Sequence, residues 1–272
     1  MATETADSGI VTRRVHYGNA LEGFLAAPNQ PGPHPVVILL HERYGLMQHN
    51  LDLAQRFAGE GFLCLAPNLY SRHPEPERLA NGEIYQRIPD AVVLDDLNAS
   101  IDHLRHERAD LGRLAIMGVC ISGRWPLVAA SRRNDVAACV ALYGAAYPNG
   151  WILDEFHPET VDALISRVQC PVLGIFGEAD NIIPLDCVRR FRDALEIHRK
   201  SYHIRVFPGV PHGWLNDTMP PRYRAPEAAA AWQLIVDFLK QVWSGGYPVD
   251  RVRWKLESDV AIDYDPAKNV PV

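Results

Sequence analysis

The sequence predicts an α/β fold with a mostly parallel central sheet flanked by helices, opened by an antiparallel hairpin. Short apolar runs alternate with longer segments whose apolar residues recur at helical spacing, the order that sandwiches a parallel sheet between helices. Runs such as Val36-Val37-Ile38-Leu39-Leu40 are apolar at successive positions, as strands covered on both faces must be. A glycine-flanked hexapeptide, Gly118-Val119-Cys120-Ile121-Ser122-Gly123, joins one such strand to a helical segment.

Taken in order, Arg14-Val15-His16-Tyr17, a Gly18-Asn19 turn and Leu21–Ala26 form the hairpin. Strands are expected at Pro35–Leu40, Phe62–Ala66, Leu114–Met117, Ala137–Tyr143, Val172–Phe176 and Tyr202–Phe207. Leu94, Leu97, Ile101 and Leu104 share one helical face, as do Leu185, Val188, Phe191 and Leu195 after Pro184. Trp232, Ile235, Phe238, Leu239 and Val242 form a last amphipathic stripe, and all three stripes read as core packing. No internal repeat, linker or low-complexity tract divides the chain. One domain over residues 1–272 is therefore expected, with a core at about 10–243 and an extension at about 244–272 that forms a strap or a dimer arm.

The chain has 272 residues, 47% of them apolar and 22% charged, ordinary values for a soluble enzyme. A net charge of −6 argues against a nucleic-acid or anionic-membrane partner. No apolar run approaches the roughly 20 residues of a membrane span. The start, Met1-Ala2-Thr3-Glu4-Thr5-Ala6-Asp7, has neither the basic nor the apolar stretch of a secretory signal. The five cysteines, Cys64, Cys120, Cys139, Cys170 and Cys187, are odd in number and lack metal-ligand spacing. Cys64, Cys139 and Cys170 lie in or beside apolar strands and read as small buried hydrophobes; a reducing cytoplasm fits such usage.

The hexapeptide has the strand–turn–helix context of the G-x-S-x-G nucleophile elbow, with a thiol in place of the serine. By itself it is also compatible with an ordinary turn around a buried cysteine. An acid and a histidine should follow a nucleophile placed there, and they do. Asp180 stands just past the strand Val172–Phe176, in Gly177-Glu178-Ala179-Asp180, and His212 just past Tyr202–Phe207, in Pro208-Gly209-Val210-Pro211-His212-Gly213. Both positions are carboxyl ends of parallel strands, where sites assemble. Singly, Asp180 is a turn residue and His212 a loop histidine; the ordered set of three is the informative observation.

With these residues on the page, the chain from about Pro35 to Trp243 resembles the dienelactone hydrolase family, of α/β-hydrolase fold. The resemblance lies in His41-Glu42-Arg43-Tyr44-Gly45, Pro67-Asn68-Leu69-Tyr70-Ser71-Arg72, the thiol elbow, and the Asp180 and His212 loops. It implies a Cys120-His212-Asp180 triad, with Glu42 beside the nucleophile and engaged in its activation. It also implies an oxyanion hole from the backbone N–H groups of Ile121 and Arg43. His41-Glu42 superficially matches a zinc-protease helix, but position 45 is Gly and the pair follows a strand, so no metal and no cofactor are expected.

Two departures bear on substrate. Members that cleave dienelactone hold its carboxylate with two arginines; Arg72 matches one, implying a substrate-binding role, while Asn216 stands where the other should be. The elbow reads Ser122-Gly123-Arg124 where two glycines are usual, and Pro126 follows in the first helical turn, where proline is tolerated. The resemblance therefore implies hydrolysis of a small lactone or carboxylic ester, as in carboxymethylenebutenolidase, through a cysteine acyl-enzyme, in a monomer or homodimer. Alternatives are a short-chain carboxylesterase without dienelactone activity and a non-catalytic binding protein reusing the fold. A dehalogenase is disfavoured, because that chemistry usually needs a carboxylate nucleophile.

Overall fold

Ten strands form one sheet in the computed structural model, which describes residues 5–7 and 9–265. Their order is β1-β2-β3-β5-β4-β6-β7-β8-β9-β10. The first four residues, part of the stretch read for a leader, and residues 266–272 of the expected extension lie outside the described residues. Strand β1 (Thr5–Asp7) pairs antiparallel with β2 (Ile10–Tyr17), which makes the expected hairpin with β3 (Leu21–Pro28). Strand β3 then pairs antiparallel with β5 (Leu63–Asn68). From β5 onward every pairing is parallel, through β4 (His34–Leu40), β6 (Ala109–Val119), β7 (Ala138–Leu142), β8 (Val172–Gly177) and β9 (Tyr202–Phe207).

The two-sided apolar runs follow from this layout. Val36, Ile38 and Leu40 of β4 pack on one face with α3 (Asp90–Leu104), α4 (Trp125–Arg132), α5 (Val161–Arg167) and α6 (Leu185–Ile197). Val37 and Leu39 pack on the other face with α1 (Gln48–Gly59) and α7 (Ala225–Trp243). The short α2 (Pro76–Ala80) contributes Leu79 to the first face. The three predicted stripes fall on α3, α6 and α7, and Pro126 sits in the first turn of α4. Cys64, Cys139 and Cys170 are buried as expected. Among the described residues no helix is long and apolar enough to cross a membrane.

Among the elements not anticipated, which include β1, α2 and α5, two are instructive. Helix α1 buries His49 and Asn50 alongside Leu53, Ala54, Phe57 and Ala58, so polar residues occupy part of its inner face and hide the stripe. The extension does not merely lie across the domain: Trp254–Ser258 form β10, parallel to β9, as the tenth strand of the sheet.

Candidate active site

The elbow's geometry follows from its small residues. Cys120 takes the left-handed conformation, φ 55°, at the end of β6, which costs a non-glycine residue on the order of 1–3 kcal/mol and lifts its side chain off the sheet. A side chain on Gly118 would place its Cβ 2.1 Å from Ser122 O, and one on Gly123 would lie 2.5 Å from Gly144 Cα. Glycine is thus required at both positions for the turn to close against β7. Ser122 is fully buried and donates to His41 O, tying the elbow to the loop after β4. Arg124, the residue unusual for such an elbow, turns away from the cavity onto Asp90 at the start of α3, with three N···O contacts of 2.7–3.0 Å. Trp125 Nε1 and His157 Nδ1 also meet Asp90, at 3.2 and 3.1 Å.

The structure brings Cys120, His212 and Asp180 together. His212 Nε2 lies 3.2 Å from Cys120 Sγ, and His212 Nδ1 lies 2.7 Å from Asp180 Oδ2. Asp180 is fully buried, and its Oδ1 accepts from the N–H groups of Ile182 and Ile183 at 2.8 and 2.9 Å. Both ring nitrogens of His212 are therefore assigned: Nδ1–H to the carboxylate and Nε2 to the sulfur. Burial opposes charging of this ring, but the hydrogen bonds to Asp180 and Cys120 outweigh it and raise the His212 pKa to about 10.

His41 shows the opposite outcome. Its Nδ1–H meets Glu42 O at 2.6 Å and its Nε2 accepts from Leu69 N–H at 3.0 Å. Burial with no carboxylate on the ring lowers its pKa to about 4, leaving a neutral histidine that ties the loop after β4 to the one after β5.

Glu42 is buried and lines the same cavity as Cys120, but its carboxylate is held by others. Asn216 Nδ2 donates to Oε2 at 2.6 Å and Tyr143 OH to Oε1 at 3.2 Å. Tyr147 OH donates to Cys120 Sγ at 3.4 Å. Burial, reinforced by Cys120, pushes the Tyr147 phenol pKa well up, so it serves as a donor. Tyr143 and Tyr147 were missed in the sequence, although both sit just past β7, the kind of position that identified Asp180 and His212.

A cavity of about 310 Å³ opens over Sγ, walled by Tyr44, Tyr85, Ile182 and Met219 and including Ile121 and Arg43 in its lining. Arg72 is elsewhere, and the expectation that it reads substrate is corrected. Its Nη2 donates to both carboxylate oxygens of Asp96, at 2.7 and 2.9 Å, and its Nη1 donates to Asn19 O at 3.1 Å. The cavity's arginines are Arg43 and Arg222, neither with a carboxylate partner among the described residues. The Arg43 guanidinium lies 5.2 and 5.7 Å from the rings of Tyr44 and Tyr85, and its buried Nε has no hydrogen-bond partner. Asn216, at the position where a second arginine was expected, fixes Glu42.

Comparison with known proteins agrees with this architecture. A protein of Escherichia coli O157:H7, provisionally named carboxymethylenebutenolidase, is 32% identical over 247 residues, covering 88% of this chain and 90% of its own. A Bradyrhizobium protein provisionally named 2-oxo-3-(5-oxofuran-2-ylidene)propanoate lactonase is 28% identical over 251 residues, covering 88% and 96%. The crystal structure of a Klebsiella pneumoniae protein, provisionally named dienelactone hydrolase, superposes with a TM-score of 0.77 at 30% identity, covering 86% of this chain and all of that one. The model of the dienelactone hydrolase family matches residues 21–243, from β3 to the end of α7. Sheet, elbow and match across most of its length place this chain in the dienelactone hydrolase family.

Proposed function

We propose that this hydrolase opens a small carboxylate-bearing lactone, or cleaves the corresponding ester, through an acyl thioester on Cys120. The observation that carries the reading is the hydrogen-bonded line Cys120 Sγ, His212, Asp180, set at the floor of a cavity whose two arginines lack acidic partners among the described residues. The Sγ proton passes to Nε2, giving a thiolate beside an imidazolium; the raised His212 pKa keeps that ring protonated at neutral pH. Sulfur attacks the carbonyl carbon, and the carbonyl electrons move to oxygen, which the N–H groups of Ile121 and Arg43 stabilise. The C–S bond remains, the ring C–O bond breaks, and the departing oxygen takes the proton from Nε2. Water then attacks the thioester while giving a proton to Nε2, the C–S bond breaks, and the sulfur recovers the proton.

Tyr147 stabilises charge on sulfur through its hydroxyl, and Glu42, parked on Asn216 and Tyr143, takes part in thiol activation once substrate disturbs that arrangement. Arg43 and Arg222 read the substrate carboxylate. The Bradyrhizobium relative is named for a furanone lactone that carries an oxo-acid carboxylate, which fits this charge pattern. The five unbridged thiols fit a reducing cytoplasm.

The test is a burst experiment with p-nitrophenyl acetate, followed by intact-protein mass spectrometry. One equivalent of chromophore should appear in the burst, with one acetyl group on Cys120, and Cys120→Ala should show neither. Turnover by Cys120→Ala at the wild-type rate would remove the thiol from the mechanism.

A further inference from the structure

We propose that β10 is the interface of a twofold-symmetric homodimer, in which β10 strands of two copies pair antiparallel about Leu256. Strand β10 ends the sheet and is paired only on its β9 side among the described residues. Tyr202 N–H donates to Arg253 O at 2.8 Å, and Trp254 stands opposite Tyr202 in the register. In a parallel ladder this sets the alternation. The peptide groups of Arg253, Lys255 and Glu257 point to β9, while those of Trp254, Leu256 and Ser258 point to the open edge. A run of outward N–H and C=O groups is a template for another strand, and native edges are usually blunted by bulges, prolines or a covering element. Between Trp254 and Ser258 this edge has no proline, and among the described residues no further strand pairs with it; it is guarded by the charges of Lys255 and Glu257, which disfavour any strand that does not complement them.

The occupant follows from the sequence around Leu256. Val252-Arg253-Trp254-Lys255-Leu256-Glu257-Ser258-Asp259-Val260 is charge-complementary to itself when reversed. With two copies antiparallel and Leu256 facing the partner's Leu256, residues equally far before and after this position oppose each other. Lys255 then meets the partner's Glu257, Arg253 meets the partner's Asp259, and Val252 meets the partner's Val260. The hydrogen-bonding alternation agrees with this register: Leu256 with its copy, and Trp254 with the partner's Ser258, exchange both N–H···O hydrogen bonds. Lys255 and the partner's Glu257 fall at a non-hydrogen-bonded pair, where side chains approach most closely. Lys255 and Glu257 already touch within one chain at 2.8 Å, so two copies assemble a four-charge cluster of alternating sign. A shift by one residue would set Lys255 against a neutral residue and break the hydrogen-bonding alternation.

Apolar exposure points to the same place. Of thirteen large apolar side chains exposed among the described residues, six lie between Val249 and Ile262, including Trp254 at 52% and Leu256 at 45%. Trp254, Leu256 and Val260 share one face of the strand with Val252, so pairing gathers them into a continuous apolar strip across the twofold. None of the residues lining the cavity over Cys120 comes from β10.

Sedimentation velocity tests the dimer with three proteins, each checked for fold by circular dichroism and ester hydrolysis. Wild type should sediment with the mass of two chains. Lys255→Glu and Glu257→Lys each place like charges across the twofold and should sediment as single chains. An equimolar mixture of the two variants should regain the two-chain mass, because an edge with two acidic side chains then faces an edge with two basic ones. A single-chain mass for wild type at all concentrations would overturn the proposal. So would two-chain masses for the separate variants, or a mixture that stays single-chain.

Discussion

At His212 two opposed effects act on one ring, burial against charge and hydrogen bonds in favour of it, and the second prevails. A folded-state pKa of about 10 lies above the unfolded value near 6.5. The stability this contributes is fully present below about pH 6.5 and is lost as the pH rises through 10. Asp180→Asn removes one of the two partners that raise the pKa. The stability gap between wild type and Asp180→Asn, measured by urea midpoints, should therefore be widest near pH 6 and shrink towards pH 10. A gap that widens with pH would mean that the ring is neutral in the folded enzyme. The same substitution disturbs the ring's tautomer and should lower turnover by about 10⁴-fold. The arginines separate by partner. Arg72 is committed to Asp96, so Arg72→Ala should lower stability and leave KM unchanged for anionic and neutral esters alike. Arg222 lines the cavity with no acidic partner among the described residues, so Arg222→Ala should raise KM several-fold for a carboxylate-bearing lactone and little for a neutral ester. Equal KM shifts on both substrates would take Arg222 out of recognition.

The elbow is an element held from two sides, by Ser122 on the loop after β4 and by Arg124 on the start of α3. The Arg124–Asp90 pair is buried, so removing one partner strands the other charge. Asp90→Ala should cost about 3–5 kcal/mol in chemical denaturation, while Asp90→Asn, which can still accept from Arg124 and Trp125, should cost less. A loss near zero for Asp90→Ala would show that water reaches Arg124. Such dependence on tertiary partners explains what the sequence disclosed. Strand β9 and the hairpin were readable because their apolar runs and turn residues act locally, and Asp180 and His212 because each directly follows such a run. Arg72 misled because its neighbours in sequence say nothing of Asp96, 24 residues on, which claims its guanidinium. The role of Asn216 was equally hidden, its partner Glu42 lying 174 positions away. Strand β10 carries an apolar alternation at Val252, Trp254, Leu256 and Val260, but nothing local to it names its partner β9, so the sequence left the segment as a strap or a dimer arm.

Across the whole molecule, each group of the candidate site stands at a carboxyl end of the sheet: the Glu42 loop after β4, Cys120 after β6, the tyrosines after β7, Asp180 after β8 and His212 after β9. Their relative positions are therefore fixed by strand register, and the sheet is the scaffold that aligns Sγ with Nε2. The last described segment reaches back to this end. Ala261 N–H donates to Glu178 Oε1 at 2.7 Å, and Gly209 N–H donates to Glu178 Oε2 at 2.8 Å. Glu178 thus joins the Asp180 loop to the His212 loop and to the chain beyond β10. Truncation before Pro248 removes β10 and the Ala261 contact but leaves the Gly209 contact and every triad atom. The truncated protein should melt several degrees lower, because β9 becomes an exposed edge and His203 loses its partner Glu257. Its turnover per titrated thiol should stay within about tenfold of the full chain, since one of two bonds bracing the loops survives and each is worth roughly 1 kcal/mol. Complete inactivity in a truncated protein with native circular dichroism would place the C-terminal segment within the catalytic machinery, and an unchanged melting temperature would show that β10 adds nothing to the sheet.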